Sequence, residues 1–348
     1  MAGSVSTRIR LAAVQAGSRP GEVEANLEHA GALVEQAAAQ GARLVALPEL
    51  FSCGYVANRA VWDLAEPANG RTARWLACTA RRLGVYLGAG CAESDGVDFY
   101  NVFILAGPDG RVAGRAYKAN AEASIFRRGR HRHLIVTPVG RVGIGICADN
   151  QFSAQLRLMH EQRADLIVMP HAWPTPVKAA CLVSEADVAA QQSRMIELPA
   201  LYARSLGVPV LFVNQVGPLV QIGGILGRLM DPAVWRLRGQ SRIVDSDGSV
   251  LGQLADEEGV LTAEALMNPA RVRFDAPPSF SGWLQPGAWA ARHVIIPADI
   301  AAGRLSYAAS RTRWPKASLA AAWQSGDLPL PTVGVDRGTR ERSSRCAE

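Results

Sequence analysis

Three residues equipped for chemistry stand where apolar runs break off. "RVGIGICADN" (141–150) is a run of small apolar residues that halts at Cys147. "RLVALPEL" (43–50) halts at Glu49, and "YNVFILAGPDGRVAGRAYK" (100–118) ends on Lys118, with Glu122 four residues further on. Each has a plain reading. A free cysteine behaves as a small buried hydrophobe, a lone glutamate serves a loop or a helix cap, and a lone lysine is solvated. A base and a cation brought beside the thiol would instead make Cys147 a nucleophile. Lys118 is one of 3 lysines against 34 arginines, so its selection over a guanidinium calls for a reason. An ammonium is a compact point charge suited to one developing oxyanion, where a guanidinium fork suits planar partners.

The elements that would position these residues alternate between strand and helix. "RLAAVQA" (10–16) reads as a first strand. In the segment after it Val23, Leu27, Ala30, Val34 and Ala38 recur at helical spacing, with Gly41 as a stop. "RLVALPEL" is a second buried strand, "TARWLACTARRLG" a helix ending at Gly84, and "VYLGAGCAE" a third strand. Hairpins follow around Pro108-Asp109-Gly110, Gly140 and Asp247-Gly248. "ADLIVMPHA" and "VPVLFVNQV" are further buried strands, flanking a helical stretch from Glu185 to Leu206. Such a pattern predicts an α/β fold of two sheets face to face, each with helices on its outer side. All three chemical residues then fall at strand ends, where rigid sheets present their sites.

The remaining composition excludes several classes. Of 348 residues, 49% are hydrophobic and 20% charged, an ordinary globular balance. The longest apolar runs fall well short of the roughly 20 residues of a membrane span, and "MAGSVSTRIRLAAVQAG" lacks the apolar core of a secretory signal, so a cytoplasmic location is expected. Six scattered cysteines form no CxxC pair, and the histidines cluster only in "RRGRHRH" (127–133) with no H-E-x-x-H, so no metal is expected. The net charge of +6 is spread along the chain without interleaved aromatics, which argues against a nucleic-acid partner. The one dense basic run, 127–133, reads as a solvated loop.

"LPELFSCGY", "YKANAEASIFRRG" and "VGIGICADN" together resemble the nitrilase superfamily of carbon–nitrogen hydrolases. The match includes Glu122, Phe126 and Gly129 in step, and "GVPVLFVNQVG" and "GQSRIVDSDGSVL" resemble the family's last strands. The resemblance covers 8–275 and implies a four-layer α-β-β-α sandwich. Beyond it, 276–323 is expected to be an extension packing at a subunit interface of a homodimer or larger homo-oligomer, and 324–348 a disordered tail. By the same resemblance Cys147 is the nucleophile, Glu49 the general base, Lys118 the oxyanion donor together with the N–H of Ala148, and Glu122 a second glutamate that positions substrate and supports the lysine. An ordinary thiol is only a few per cent ionised at neutral pH, so base and cation both matter. Cys53, four residues after Glu49, lacks the elbow setting. No cofactor is implied.

The substrate class follows from the residues beside the nucleophile. Nitrilases in the narrow sense carry Cys-Trp-Glu; "CAD" leans toward a small linear amide or N-carbamoyl compound. An arginine expected two residues beyond the aspartate is replaced within Asn150-Gln151-Phe152-Ser153, which removes a clamp for a substrate carboxylate. Tyr55, Asp149, Asn150, His171 and Trp173 are expected to touch substrate. A nitrilase, an acyltransferase passing the thioester to an amine, and a silent scaffold are the alternatives.

Overall fold

The predicted alternation is present from the start of the chain: β1 (Thr7–Gln15), α1 (Val23–Ala39), β2 (Leu44–Ala46), α2 (Arg71–Leu83), β3 (Tyr86–Ser94), then the hairpin β4 (Phe99–Ala106) and β5 (Val112–Tyr117). A second series comprises β6 (Leu134–Thr137), β7 (Gly140–Ile144), α3 (Ser153–Glu161), β8 (Leu166–His171), β9 (Pro174–Pro176), α4 (Glu185–Leu206) and β10 (Val210–Asn214). It continues through β11 (Val216–Pro218), α5 (Gly224–Leu229), β12 (Trp235–Arg238), β13 (Arg242–Val244), β14 (Val250–Gln253), β15 (Gly259–Met267) and α6 (Ile296–Ser310). The structure, a computed structural model, describes residues 7–129, 133–181, 183–219, 222–267 and 274–311. The expected tail over 324–348, and the extension past 311, lie outside the described residues.

Local chemistry accounts for the element ends. α1 buries Val23, Leu27, Ala30, Val34 and Ala37 along one face and stops at Gly41, whose φ of 82° is the left-handed conformation glycine adopts without a steric penalty. α4 starts on a reciprocal cap, in which Ser184 Oγ accepts from Asp187 N at 3.1 Å while Asp187 Oδ2 accepts from Ser184 N at 3.0 Å.

Two six-stranded sheets share one plan. The first runs β15-β1-β2-β3-β4-β5 and the second β14-β13-β10-β8-β7-β6. In each, three central strands are parallel (β1, β2, β3 and β10, β8, β7) and the outer strands are antiparallel. The period-2 alternation of strands places Leu11 and Ala13 of β1 in the core shared with Ile144, Ile167 and Leu211 of the second sheet. Ala12 and Val14 turn the other way, to Ala30, Val34 and Leu76 of α1 and α2. With α3 and α4 on the second sheet, through Leu156, Leu198 and Tyr202, the layers are α-β-β-α, as predicted.

Three expectations are corrected. The strand predicted over 43–50 is only Leu44–Ala46, because Pro48 has no N–H with which to extend the ladder. A small third sheet, β11-β12-β9, was not anticipated. The basic run is not simply solvated: Arg127 pairs with the buried Asp98, and His133 is buried with Nδ1 3.0 Å from the Ile144 carbonyl. Residues 130–132 of that run lie outside the described residues. In the C-terminal extension Leu284 and Tyr307 are buried, while Trp289 and Val294 are 68% and 53% exposed in the single chain.

Candidate active site

Each of the three residues leaves its strand by a different device. After β2, Leu50 adopts φ 48°, turning the chain so that Glu49 enters the interior. Gly90 of β3 makes the room, since a Cβ there would collide with the backbone of Glu49 and Leu50. Lys118 directly follows β5, anchored by its N–H to the Asn101 carbonyl at 2.9 Å. β7 ends at Ile144, and Cys147 opens a 3-10 turn through Gln151 with φ 46°. That left-handed conformation costs a residue with a Cβ about 1–3 kcal/mol, and it persists only where surrounding contacts enforce it.

These turns bring a compact ionic cluster together. Lys118 Nζ lies 2.6 Å from Glu49 Oε1 and 2.8 Å from Glu122 Oε1. Asn101 Nδ2 also donates to Glu49 Oε1, at 2.8 Å, and the Ala172 N–H donates to Glu49 Oε2 at 2.9 Å. The charges of Glu49, Lys118 and Glu122 all act on the Cys147 thiol, which sets it beside this cluster. Tyr55 OH donates to Glu122 Oε1 at 3.1 Å. Glu49 is wholly buried and Lys118 1% exposed, so water scarcely screens the cluster.

The two carboxylates are driven apart. Burial pushes Glu49 above the ordinary carboxylate range; Lys118 offsets part of this, and the neighbouring charge of Glu122 adds to the rise. Burial acts on Glu122 too, but the charge and hydrogen bond of Lys118 outweigh it and hold that carboxyl low. Such splitting is how one site assigns a proton-transferring group and a permanently charged one. Burial, then the Glu49 charge, push the Cys147 thiol well up, with Lys118 opposing. At rest the sulfur therefore keeps its proton, and a base is required. Cys53 is 1% exposed and pushed up to about 12, chiefly by burial.

Several expected substrate contacts have other partners. Asp149 is wholly buried and faces the lysine loop: Oδ1 accepts from Asn120 N at 2.7 Å and Asn120 Nδ2 at 3.0 Å, and Oδ2 from Ala119 N at 3.1 Å. It ties the turn of Cys147 to the turn after Lys118, which leaves it no free oxygen turned to a substrate. Asn150 donates to the Gly145 carbonyl at 2.7 Å and sits 3.0 Å from His171 Nε2. Burial, with Lys118 nearby, holds His171 well below its ordinary pKa and hence neutral. It stacks on Trp173 at 5.5 Å, and the Trp173 N–H goes to Asn214 Oδ1 at 2.8 Å. Ala148, half-buried, is the second residue of the turn after Cys147.

Four buried polar atoms around this cluster lack a hydrogen-bond partner: Glu122 Oε2, Asn101 Oδ1, Asn150 Oδ1 and His171 Nδ1. Buried polar groups are nearly always paired, so their concentration here marks a place shaped for a polar ligand. Sequence reasoning missed Asn101 and also Gln215, whose Nε2 donates to the Glu49 carbonyl at 2.6 Å. Asn101 lies within β4 and Gln215 directly follows β10, and the only available signal was a polar residue interrupting "YNVFILA" and "LFVNQV". Among the described residues no cluster of His, Cys, Asp and Glu could hold a metal ion.

A double-sheet α/β sandwich carries this cluster between its strand ends, and its sequence matches a known family of that fold. The family model for carbon-nitrogen hydrolases matches residues 10–271, and the chain belongs to that family, within the nitrilase superfamily. An omega-amidase NIT2 of Danio rerio is 32% identical over 181 residues, 48% of this chain and 64% of that protein. A nitrilase of Pyrococcus abyssi is 35% identical over 170 residues, 47% of this chain and 64% of that one. The chain thus spans just under two thirds of the length of these curated relatives. Among solved structures, a carbon-nitrogen hydrolase from Helicobacter pylori G27 superposes with a TM-score of 0.66 at 24% identity, covering 74% of this chain and 89% of that one. Saccharomyces cerevisiae Nit3, of the nitrilase superfamily, gives 0.61 at 23% identity, covering 76% and 91%. These two likenesses establish the fold.

Proposed function

We propose that this carbon–nitrogen hydrolase cleaves a small linear amide or N-carbamoyl compound through a thioester on Cys147. The observation that carries the reading is Lys118, fixed between two carboxylates of opposite tendency beside a buried thiol. Glu49 takes the thiol proton as sulfur attacks the carbonyl carbon. An ammonium has three N–H donors; two of those on Lys118 go to Glu49 and Glu122, leaving the third for the oxyanion, with the Ala148 N–H as a second donor. Removing one such donor typically costs about 10²–10³ in rate. Glu49 returns the proton to the departing nitrogen, the C–N bond breaks, and the thioester remains. Water, deprotonated by Glu49, then releases the acid and restores the thiol. Glu122, held ionised, keeps Lys118 charged and in place throughout.

Preference for an amide over a nitrile rests on Cys-x-Asp in place of Cys-Trp-Glu, with omega-amidases among the relatives. No helix among the described residues is long and apolar enough to cross a membrane; a cytoplasmic homo-oligomer remains part of the proposal. The test is intact-protein mass spectrometry with matched amides, carbamoyl compounds and nitriles, followed by kcat/KM on the substrates that react. An acyl adduct absent from Cys147→Ala and a higher kcat/KM for the amide are expected. A nitrile preference of about tenfold or more, equivalent to roughly 1.4 kcal/mol in the transition state, would overturn the amide assignment. Product transferred to an added amine in place of water would make the enzyme an acyltransferase.

A further inference from the structure

The helix α6 lies beyond the region matched by the family model, which ends at 271. Only two of its residues are buried, Gly303 and Tyr307, one turn apart on a single face. The buried face is narrow, and through Tyr307 it joins the core around Trp62, Phe99 and Phe126. What that face touches is the turn that begins at Glu122.

The contacts are backbone-close. A Cβ on Gly303 would stand 2.8 Å from Ser124 N and 3.0 Å from the Ala123 carbonyl carbon, so the helix lies directly on the segment after Glu122. In that segment the Glu122 carbonyl accepts from Ile125 N and Phe126 N, both at 2.9 Å. One turn along α6, Tyr307 OH donates to Asp98 Oδ1 at 3.0 Å and accepts from Phe99 N at 3.0 Å. Asp98, buried, also takes Arg311 Nη1 at 2.8 Å and the Arg127 guanidinium, so the same carboxylate grips both the helix and the far end of the Glu122 segment. The Tyr307 ring packs edge-on against Trp62 at 5.8 Å, and Trp62 Nε1 donates to the Ile125 carbonyl at 2.6 Å. Gly303 thus meets residues 122–127 directly and Tyr307 reaches them through Trp62 and Asp98, while Asp299, accepting from Ile225 N at 2.7 Å, and Ser306, paired with Arg59, hold the helix to neighbouring loops.

We propose that α6 is a brace that sets Glu122 against Lys118, with Gly303 and Tyr307 as positioning residues; this rests on the amidase reading above. Gly303→Ala demands a shift of about 0.6 Å to restore an ordinary 3.4 Å contact with Ser124 N. Misplacement by about 1 Å can cost 10²-fold in a pre-organised site, so kcat is expected to fall roughly tenfold, although alanine favours the helix itself.

The experiment uses the full chain, with Gly303→Ala, Tyr307→Phe and, as a control, Leu305→Ala on the exposed face of α6 (75% exposed). The kcat of both brace variants should fall with KM changed less than about twofold, and the acid limb of kcat/KM should move to lower pH, because Glu122 withdrawn from the cluster no longer raises Glu49. Amide hydrogen exchange over 122–127 should quicken in Tyr307→Phe while Leu305→Ala stays like wild type. Unchanged exchange over 122–127 would overturn the brace whatever the substrate proves to be, as would unchanged kcat and acid limb in both brace variants. Lack of turnover by the wild-type protein on every amide would instead defeat the amidase reading and leave the exchange result to judge the brace.

Discussion

Asp149→Ala separates a holding role from substrate contact. The wild-type carboxylate accepts three hydrogen bonds from Ala119 and Asn120. Bonds to a charged acceptor are worth about 1.5–3 kcal/mol each when buried. Asn120 is exposed and Ala119 half-buried, so water recovers part of what the donors lose; about 2–4 kcal/mol is the expected destabilisation for the set. At about 2.1 cal/mol/K of unfolding entropy per residue, 348 residues give roughly 1.4 °C per kcal/mol, so Tm should fall by about 3–6 °C. The Lys118 turn loses its tie to Cys147 at the same time, so kcat should drop about tenfold or more, with KM little changed. Asp149→Asn keeps the shape and one acceptor oxygen and should cost about half as much stability as Asp149→Ala. Calorimetry and steady-state kinetics on the three proteins decide the matter. An unchanged Tm with a rise confined to KM would refute the reasoning and return Asp149 to the substrate.

Two further outcomes follow from the cluster. Cys147→Ala should abolish turnover with the fold intact, whereas Cys53→Ala, removing a thiol that burial keeps protonated, should leave kcat within about twofold; the reverse pattern would move the nucleophile. The acid limb of kcat/KM reports the free enzyme's base. Because Glu49 must be ionised and sits above its ordinary value of 4.5, activity should be lost as pH falls through a point above 4.5, and a limb at or below 4.5 would exclude Glu49 as base.

Much of this architecture was legible in residue types. Gly84 and Gly41 ended their helices as read, the left-handed Gly110 turned the first hairpin, and three polar residues ending apolar runs did converge. The limits were physical. Glu49 is held by Asn101, 52 residues away, and Gln215, 166 residues away, and an amide's partner across such distances leaves no trace in local periodicity. Asp149 reads as a site residue because it adjoins Cys147, yet the 3-10 turn rotates neighbouring side chains to different sides. The early end of β2 was visible in Pro48, had ladder donors been weighed above hydrophobicity.

The pairing of β1 with β15 sets the order in which the molecule can be made. Thr7 stands opposite Met267 and Gln15 opposite Gly259, so β1 waits for a strand more than 240 residues further along the chain before its outer edge is covered. Until then β1 offers a row of unpaired N–H and C=O groups, the template on which chains join wrongly. The carbonyl of Glu49 depends on Gln215 and its carboxylate on Ala172, so Glu49 is not fixed in its buried place until the strands that carry them have been made. On the proposed reading, a nascent chain therefore carries Cys147 without its base, and competence arrives together with the closing of the sheet.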